Sequence, residues 1–139
     1  MTDIVDPETR SRMMSSIRGK DTKPELIVRR YLHRQGFRFR LHVRGLPGRP
    51  DIVLPKYGTI VEVRGCFWHQ HEDCPFATMP STNPEFWQTK LSGNRDRDLA
   101  NKHKLEELDW VVFEVWECEV SDQEELHNLA TRIESQICL

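Results

Sequence analysis

The element order along this 139-residue chain predicts a mixed α/β domain, with helices flanking a central sheet. Two short apolar runs, 51–54 and 59–64, are separated by Pro55-Lys56-Tyr57-Gly58, which reads as two adjacent strands and a turn. A third run, Trp110-Val-Val-Phe-Glu-Val115, reads as a buried strand. Helical segments with recognisable caps stand before, between and after these strands.

In order, a first helix is expected over about 7–18, with Asp6 as N-cap and Pro7 at its first position. A second, over about 23–35, opens on a capping box of Thr22 and Glu25 and stops at Gly36. Strands follow at about 37–43, 51–54 and 59–64, and then an irregular loop rich in cysteine and histidine. Pro84 opens a long helix to about 108, weakened at Ser92-Gly93. Ser121 and Glu124 form a second capping box for a last helix reaching about 137. No repeat or low-complexity stretch interrupts this, so the expectation is a single domain over 1–139 with one core.

The formal net charge of -2 conceals a strong division. Residues 10–49 hold twelve Lys and Arg against two acids, whereas residues 106–139 hold ten acids against one base. A basic N-terminal third set against an acidic tail is the field expected where one face meets a polyanion. No secretory signal and no apolar run long enough to span a bilayer is present, which points to a cytoplasmic protein.

Asp51 follows Pro50 at the head of one apolar run, and Glu62 lies ten intervening residues on, followed by Val63 and Arg64. If the two runs pair, both carboxylates converge at one strand end and can hold Mg²⁺, which takes oxygen ligands and keeps waters for a substrate phosphate. The backbone carbonyl of Val63 can complete such a shell. Arg64 shares a face with Glu62 by the period-2 rule, where a cation can stabilise charge growing on a phosphate. It cannot be a base, because guanidinium does not lose its proton. The plainer reading of this spacing is a β-hairpin with solvated charges.

Cys66, His71 and Cys74 form C-x4-H-x2-C, with Cys118 as a distant fourth ligand, a set that suits a closed, structural tetrahedral Zn²⁺ site. In a chain with four cysteines and no export signal, metal binding is a better expectation than disulfides. Cys138 reads as a terminal residue only. By spacing, His69 could replace His71 as ligand, or serve as a general acid or base beside the carboxylates. Phe67 and Trp68 are adjacent, so in an extended backbone they cannot both point into a core. They are either wedges for a base stack or packing around the zinc. Trp87, Lys90, Leu91 and Asn94 share a face of the long helix. That face either meets DNA, with Lys90 and Asn94 donating to bases or phosphates, or packs Trp87 and Leu91 inward with the polar pair at its rim.

Five segments together resemble the very-short-patch repair (Vsr) mismatch endonucleases of bacteria: Thr9-Arg10-Ser11, Leu46-Pro47-Gly48-Arg49-Pro50-Asp51, Gly65-Cys66-Phe67-Trp68-His69, Glu85-Phe86-Trp87 and Val115-Trp116-Glu117-Cys118. They cover about residues 6–137. The resemblance implies a restriction-endonuclease-like, PD-(D/E)xK sheet, a structural zinc, and Mg²⁺-dependent nicking 5′ to the T of a T:G mismatch left by deamination of 5-methylcytosine. It implies Asp51 and the Val63 carbonyl as Mg²⁺ ligands, His69 as acid/base and Glu25 as an assisting carboxylate. Cys66, His71, Cys74 and Cys118 become the zinc ligands. Phe67, Trp68 and Trp87 become wedges from the major groove, with Lys90 and Asn94 on bases. Met14 and Ile17, in an N-terminal arm over 1–20 that embraces DNA, close on the minor groove. A monomer acting on mismatched double-stranded DNA, with a MutL-type repair protein as candidate partner, completes the expectation.

One departure lies at the chemical centre. The best-known family pattern has Thr-His directly before Gly-Cys-Phe-Trp-His, where this chain has Val63-Arg64 after Glu62. Catalysis here cannot rest on a pair of histidines, and Glu62 and Arg64 enter as further catalytic candidates, Glu62 as a third Mg²⁺ ligand. A restriction-like nuclease of broader mismatch or structure specificity, and a catalytically impaired zinc-stabilised DNA-binding module, are the alternatives.

Overall fold

The computed structural model describes residues 22–136. The expected helix over 7–18, with Met14 and Ile17, and Cys138 lie outside them.

Helix α1, Lys23–Arg34, starts where Thr22 Oγ1 accepts from the Glu25 N–H at 3.4 Å, so Thr22's half of the expected capping box is in place. Pro24 in its first turn and His33 and Arg34 in its last suit the helix dipole and backbone. The helix closes at Gly36, whose φ of +96° is cheap only without a Cβ, and the Phe37 N–H then donates back to the Leu32 carbonyl. That closure takes Phe37 into the helix end. The strand expected over 37–43 is therefore corrected to the two residues of β1, Arg40–Leu41.

Strands β2, Ile52–Leu54, and β3, Thr59–Arg64, match the expected pair and run antiparallel. A 3-10 turn over Pro55–Tyr57 joins them, closed by Gly58 at φ +58°. β4, Val111–Trp116, is parallel to β3, which requires a crossover, and the sheet order is β1-β2-β3-β4.

Alternation along the strands sorts side chains between two layers. Ile52, Leu54, Val61 and Val115 pack with Val28 and Leu32 of α1 and with Leu126, Leu129 and Ile133 of the last helix, α3, Gln123–Glu134. Full burial of each of these stabilises the fold by roughly 1.5–3 kcal/mol. Val53, Ile60 and Val112 face the other way, against Leu105 of the crossover helix α2, Pro84–Glu107. Glu62, Arg64 and Glu114 alternate with Val61, Val63 and Val115, so they point into this second layer under α2.

α2 runs unbroken through Ser92-Gly93, and only Leu91 and Leu105 of its residues are buried. The loop before β2 closes on it. A Cβ on Gly48, at φ +75°, would lie 2.7 Å from Asn101 Nδ2, so only glycine allows this approach. At α3 the expected cap is corrected: Asp122, not Ser121, is the N-cap, its Oδ1 accepting from the Glu124 N–H at 2.9 Å. A carboxylate also complements the helix N-terminus better than a hydroxyl. α3 ends at Glu134, short of 137. Among the described residues, no helix is long and apolar enough to cross a membrane.

Candidate active site and metal centre

The β2–β3 register, Ile52 opposite Val61, places Asp51 opposite Glu62 at one end of the pair. The two are clamped reciprocally. The Asp51 N–H donates to Glu62 Oε1 at 2.9 Å, and the Val63 N–H donates to Asp51 Oδ2 at 2.9 Å. Burial, followed by the neighbouring Glu62 charge, pushes the Asp51 carboxyl from 3.8 up to about 8. Glu62 is raised for the same first reason, burial, although Arg64 opposes it. Two buried carboxylates this close hold charge poorly without a cation.

α1 supplies Glu25, 2% exposed, which pairs with Arg29 one turn on and meets His42 Nε2 at 3.2 Å. Glu25, His42 and Asp51 offer ligand atoms that all lie within 4.8 Å of one another. His42 was not singled out by its sequence context. Its only signal is register: with Leu41 opposite Ile52, the residue after β1 falls beside Asp51.

Arg64 is buried under α2, and its three nitrogens all meet carboxylates: Nη2 to Glu62 at 3.5 Å, Nη1 to Asp98 at 3.1 Å and Nε to Glu114 at 3.3 Å. Burial alone would lower its pKa; the three acids outweigh that and raise it. Lys102 Nζ reaches the other oxygen of Glu114 at 3.3 Å. Asp98 then passes the network outward, its Oδ2 holding His69 Nδ1. With Nδ1 held, Nε2 is the His69 atom placed to exchange a proton with a substrate. Beside it lies a cleft of about 530 Å³ lined by His69, Asp98, Lys102, Glu114 and Trp116. Asp98, Lys102 and Glu114 escaped the sequence reading. A charged residue inside the apolar run of β4 was the available signal for Glu114.

The Cys/His loop departs from β3 in tight turns, with His71 N–H donating to the Cys66 carbonyl at 2.9 Å. It brings Cys66, His71 and Cys74 to Cys118, which follows β4 in a 3-10 turn. His71, not His69, is the imidazole of the cluster. Its Nδ1 lies 3.7 Å from Cys66 Sγ and 3.5 Å from Cys118 Sγ, and its ring stacks on Trp116 at 4.0 Å. A tetrahedral zinc with Zn–S of about 2.3 Å and Zn–N of about 2.0 Å sets its ligands roughly 3.5–3.8 Å apart. The donor set therefore fits zinc in type and spacing. Without a cation, burial pushes the Cys66 thiol up to about 12, so a metal is what makes this position a thiolate.

The turns also resolve how Phe67 and Trp68 sit. Neither is in extended backbone, and both are half-buried against Trp87 of α2, with ring centroids 5.6 and 5.9 Å from it. Asn94 Nδ2 donates to the Trp68 carbonyl at 2.9 Å, which fixes the loop to α2. Leu91 is buried and Lys90 half-buried at the rim, whereas Phe86, against Trp87, is 59% exposed.

These features define a mixed α/β protein with buried carboxylates gathered at the ends of β2 and β3 and a Cys/His cluster able to hold a metal just beyond β3 and β4. A profile of the DNA mismatch endonuclease Vsr family matches residues 2–75. The type II nicking enzyme V.NmeAIP of Neisseria meningitidis is 41% identical over 141 residues, covering 99% of this chain and 100% of that one. V.XorIIP of Xanthomonas oryzae is 44% identical over 122 residues, 88% of this chain and 89% of its own. The DNA mismatch endonuclease Vsr of Escherichia coli K12 is 40% identical over 140 residues, 99% of this chain and 89% of its own. The chain belongs to the Vsr DNA mismatch endonuclease family, and it is a DNA endonuclease of that family.

Proposed function

We propose that this protein nicks one strand of double-stranded DNA on the 5′ side of the T in a T:G mismatch, in a Mg²⁺-dependent reaction that initiates very-short-patch repair of deaminated 5-methylcytosine. The observation that supports it most is the buried Asp51, opposite Glu62 and beside Glu25, with Glu62 linked through Arg64 and Asp98 to His69, whose Nδ1 is held and whose Nε2 is left for substrate. The sheet, with α1 and α3 on one face and α2 on the other, is read as a restriction-endonuclease-like core.

Asp51, with the Val63 carbonyl, would hold the Mg²⁺, with Glu25 assisting from α1. Glu62 orients Asp51 by accepting its N–H, and can lend its carboxylate to the ion when substrate is bound. When bound, Mg²⁺ supplies charge neutralisation at the phosphate and an acidified water. His69 handles the proton at the scissile phosphate through Nε2, while Asp98 fixes the ring. Arg64 acts through the acids it organises, offsetting part of the negative charge that Glu62, Asp98 and Glu114 gather behind the phosphate. Phe67, Trp68 and Trp87 form one aromatic wedge for the base stack, with Lys90 and Asn94 at its rim and Met14 and Ile17 closing from the opposite groove. Cys66, His71, Cys74 and Cys118 would hold a zinc ion that fixes the loop carrying the wedge and His69.

The test uses end-labelled duplexes carrying T:G, T:A and other mismatches, with Mg²⁺ present or omitted. Wild type is expected to nick T:G and spare T:A, and Asp51→Ala to abolish nicking while still binding the mismatch. Cleavage retained by Asp51→Ala would overturn the assignment. Equal cutting of matched DNA would indicate a broader nuclease, and binding without cleavage in any divalent metal a recognition module.

A further inference from the structure

We propose that His42 is a direct metal ligand, so that Glu25, His42 and Asp51 form a mixed oxygen–nitrogen divalent-cation site that takes Mn²⁺ in preference to Mg²⁺. This rests on the reading of Asp51 as the catalytic metal residue and adds a ligand to it. The three side chains come from three places in the fold: α1, the residue just after β1 and the residue just before β2. His42 is held by its backbone, whose N–H donates to the Asp51 carbonyl at 3.2 Å, and by an unusual φ of +46°. Left-handed backbone at a non-glycine residue is uncommon, and here it ends β1 and turns the ring toward Glu25. Nε2 then lies 3.2 Å from both Glu25 oxygens.

The spacing suits an octahedral ion. At about 2.1 Å from each ligand, neighbouring donors stand roughly 3 Å apart and opposite ones roughly 4.2 Å. The three groups, all within 4.8 Å, can meet that by small side-chain rotations. The nitrogen donor decides the metal. Mg²⁺ prefers oxygen throughout, whereas imidazole raises affinity for first-row transition metals, of which Mn²⁺ also accepts carboxylate and water.

Pulsed EPR of Mn²⁺ bound to the full-length, zinc-loaded protein tests this directly. Wild type should show nitrogen coupling to the ion, replaced by the corresponding ¹⁵N signal when the protein is grown on ¹⁵N-histidine, a measurement that needs no variant. His42→Gln should lose the coupling and bind Mn²⁺ about tenfold or more weakly, with a smaller change for Mg²⁺ measured by competition. Mn²⁺ bound without nitrogen coupling, no Mn²⁺ binding, or equal affinity in His42→Gln would each overturn the ligand role. The nicking assay separates this from the functional reading: wild type that cuts T:G and Asp51→Ala that does not, with no nitrogen coupling, refutes His42 alone.

Discussion

Asp51 is the residue at which structure and chemistry conflict most, because a carboxyl with a folded value of about 8 and an ordinary value of 3.8 is held protonated over that whole interval. In the interval the folded protein binds a proton that the unfolded chain has released, so stability is fully present below about pH 4 and declines as pH rises toward 8. Burial raises Glu62 too, with the same sign. Zinc-loaded protein without Mg²⁺ should therefore show a falling urea midpoint between pH 5 and 8. Asp51 contributes at most about 1.4 kcal/mol per pH unit. Asp51→Asn should flatten the profile, as should added Mg²⁺; a profile identical in wild type and Asp51→Asn would refute this account. The sequence displayed Asp51 and Glu62 because the pairing of two clear strands puts them opposite one another. It concealed His42 and Asp98. A histidine ahead of a Gly/Pro loop and an aspartate inside Arg95-Asp96-Arg97-Asp98 look like solvated residues until a two-residue strand and a crossover helix carry them to the site.

Among the elements, the Cys/His loop has little regular structure of its own, and its shape depends on four side chains and Asn94. Removing zinc, or Cys118→Ser, should release the Phe67–Trp68–Trp87 cluster and the Trp116 stack on His71 together. Metal analysis should report lost zinc, tryptophan emission should move to the red, and T:G nicking should fall with it. Unchanged emission in the zinc-free protein would mean that α2 holds the wedge unaided. Elements bounded by strong local signals were legible: β3 matches 59–64 outright, and α1 and α2 start at their capping residue and proline. The misread ends have local causes. The α1 closure claims Phe37, the positive φ of His42 cuts β1 short, and Asp122 competes successfully with Ser121 for the cap.

At the scale of the whole molecule, the division of charge along the chain is not a division between layers. Basic α1 and acidic α3 pack on the same face of the sheet, sharing one core. Arg30, Arg34, Arg38 and Arg40 nevertheless remain exposed around the end of α1, where Arg30, Arg34 and Phe39 line a shallow groove. If these arginines meet the duplex backbone, the logarithm of affinity should fall linearly with the logarithm of salt concentration. Arg30→Ala and Arg34→Ala should each lower the slope by about 1, for T:G and T:A duplexes alike. Unaltered slopes would place the DNA on another face.

The placement of Cys66 just after β3 and Cys118 just after β4 has a consequence for how the chain folds. These are the ends of the two parallel strands, and everything between them, the loop and all of α2, is an excursion that must return before the fourth ligand arrives. Parallel pairing of distant segments is slow to form, because loop closure must precede its reward. Capture of a metal by all four side chains would follow only after β4 has docked, so an ion held there would act as a checkpoint on topology. A chain that has not completed its crossover has no finished Cys/His cluster, because Cys118 is the last of its four members to be placed.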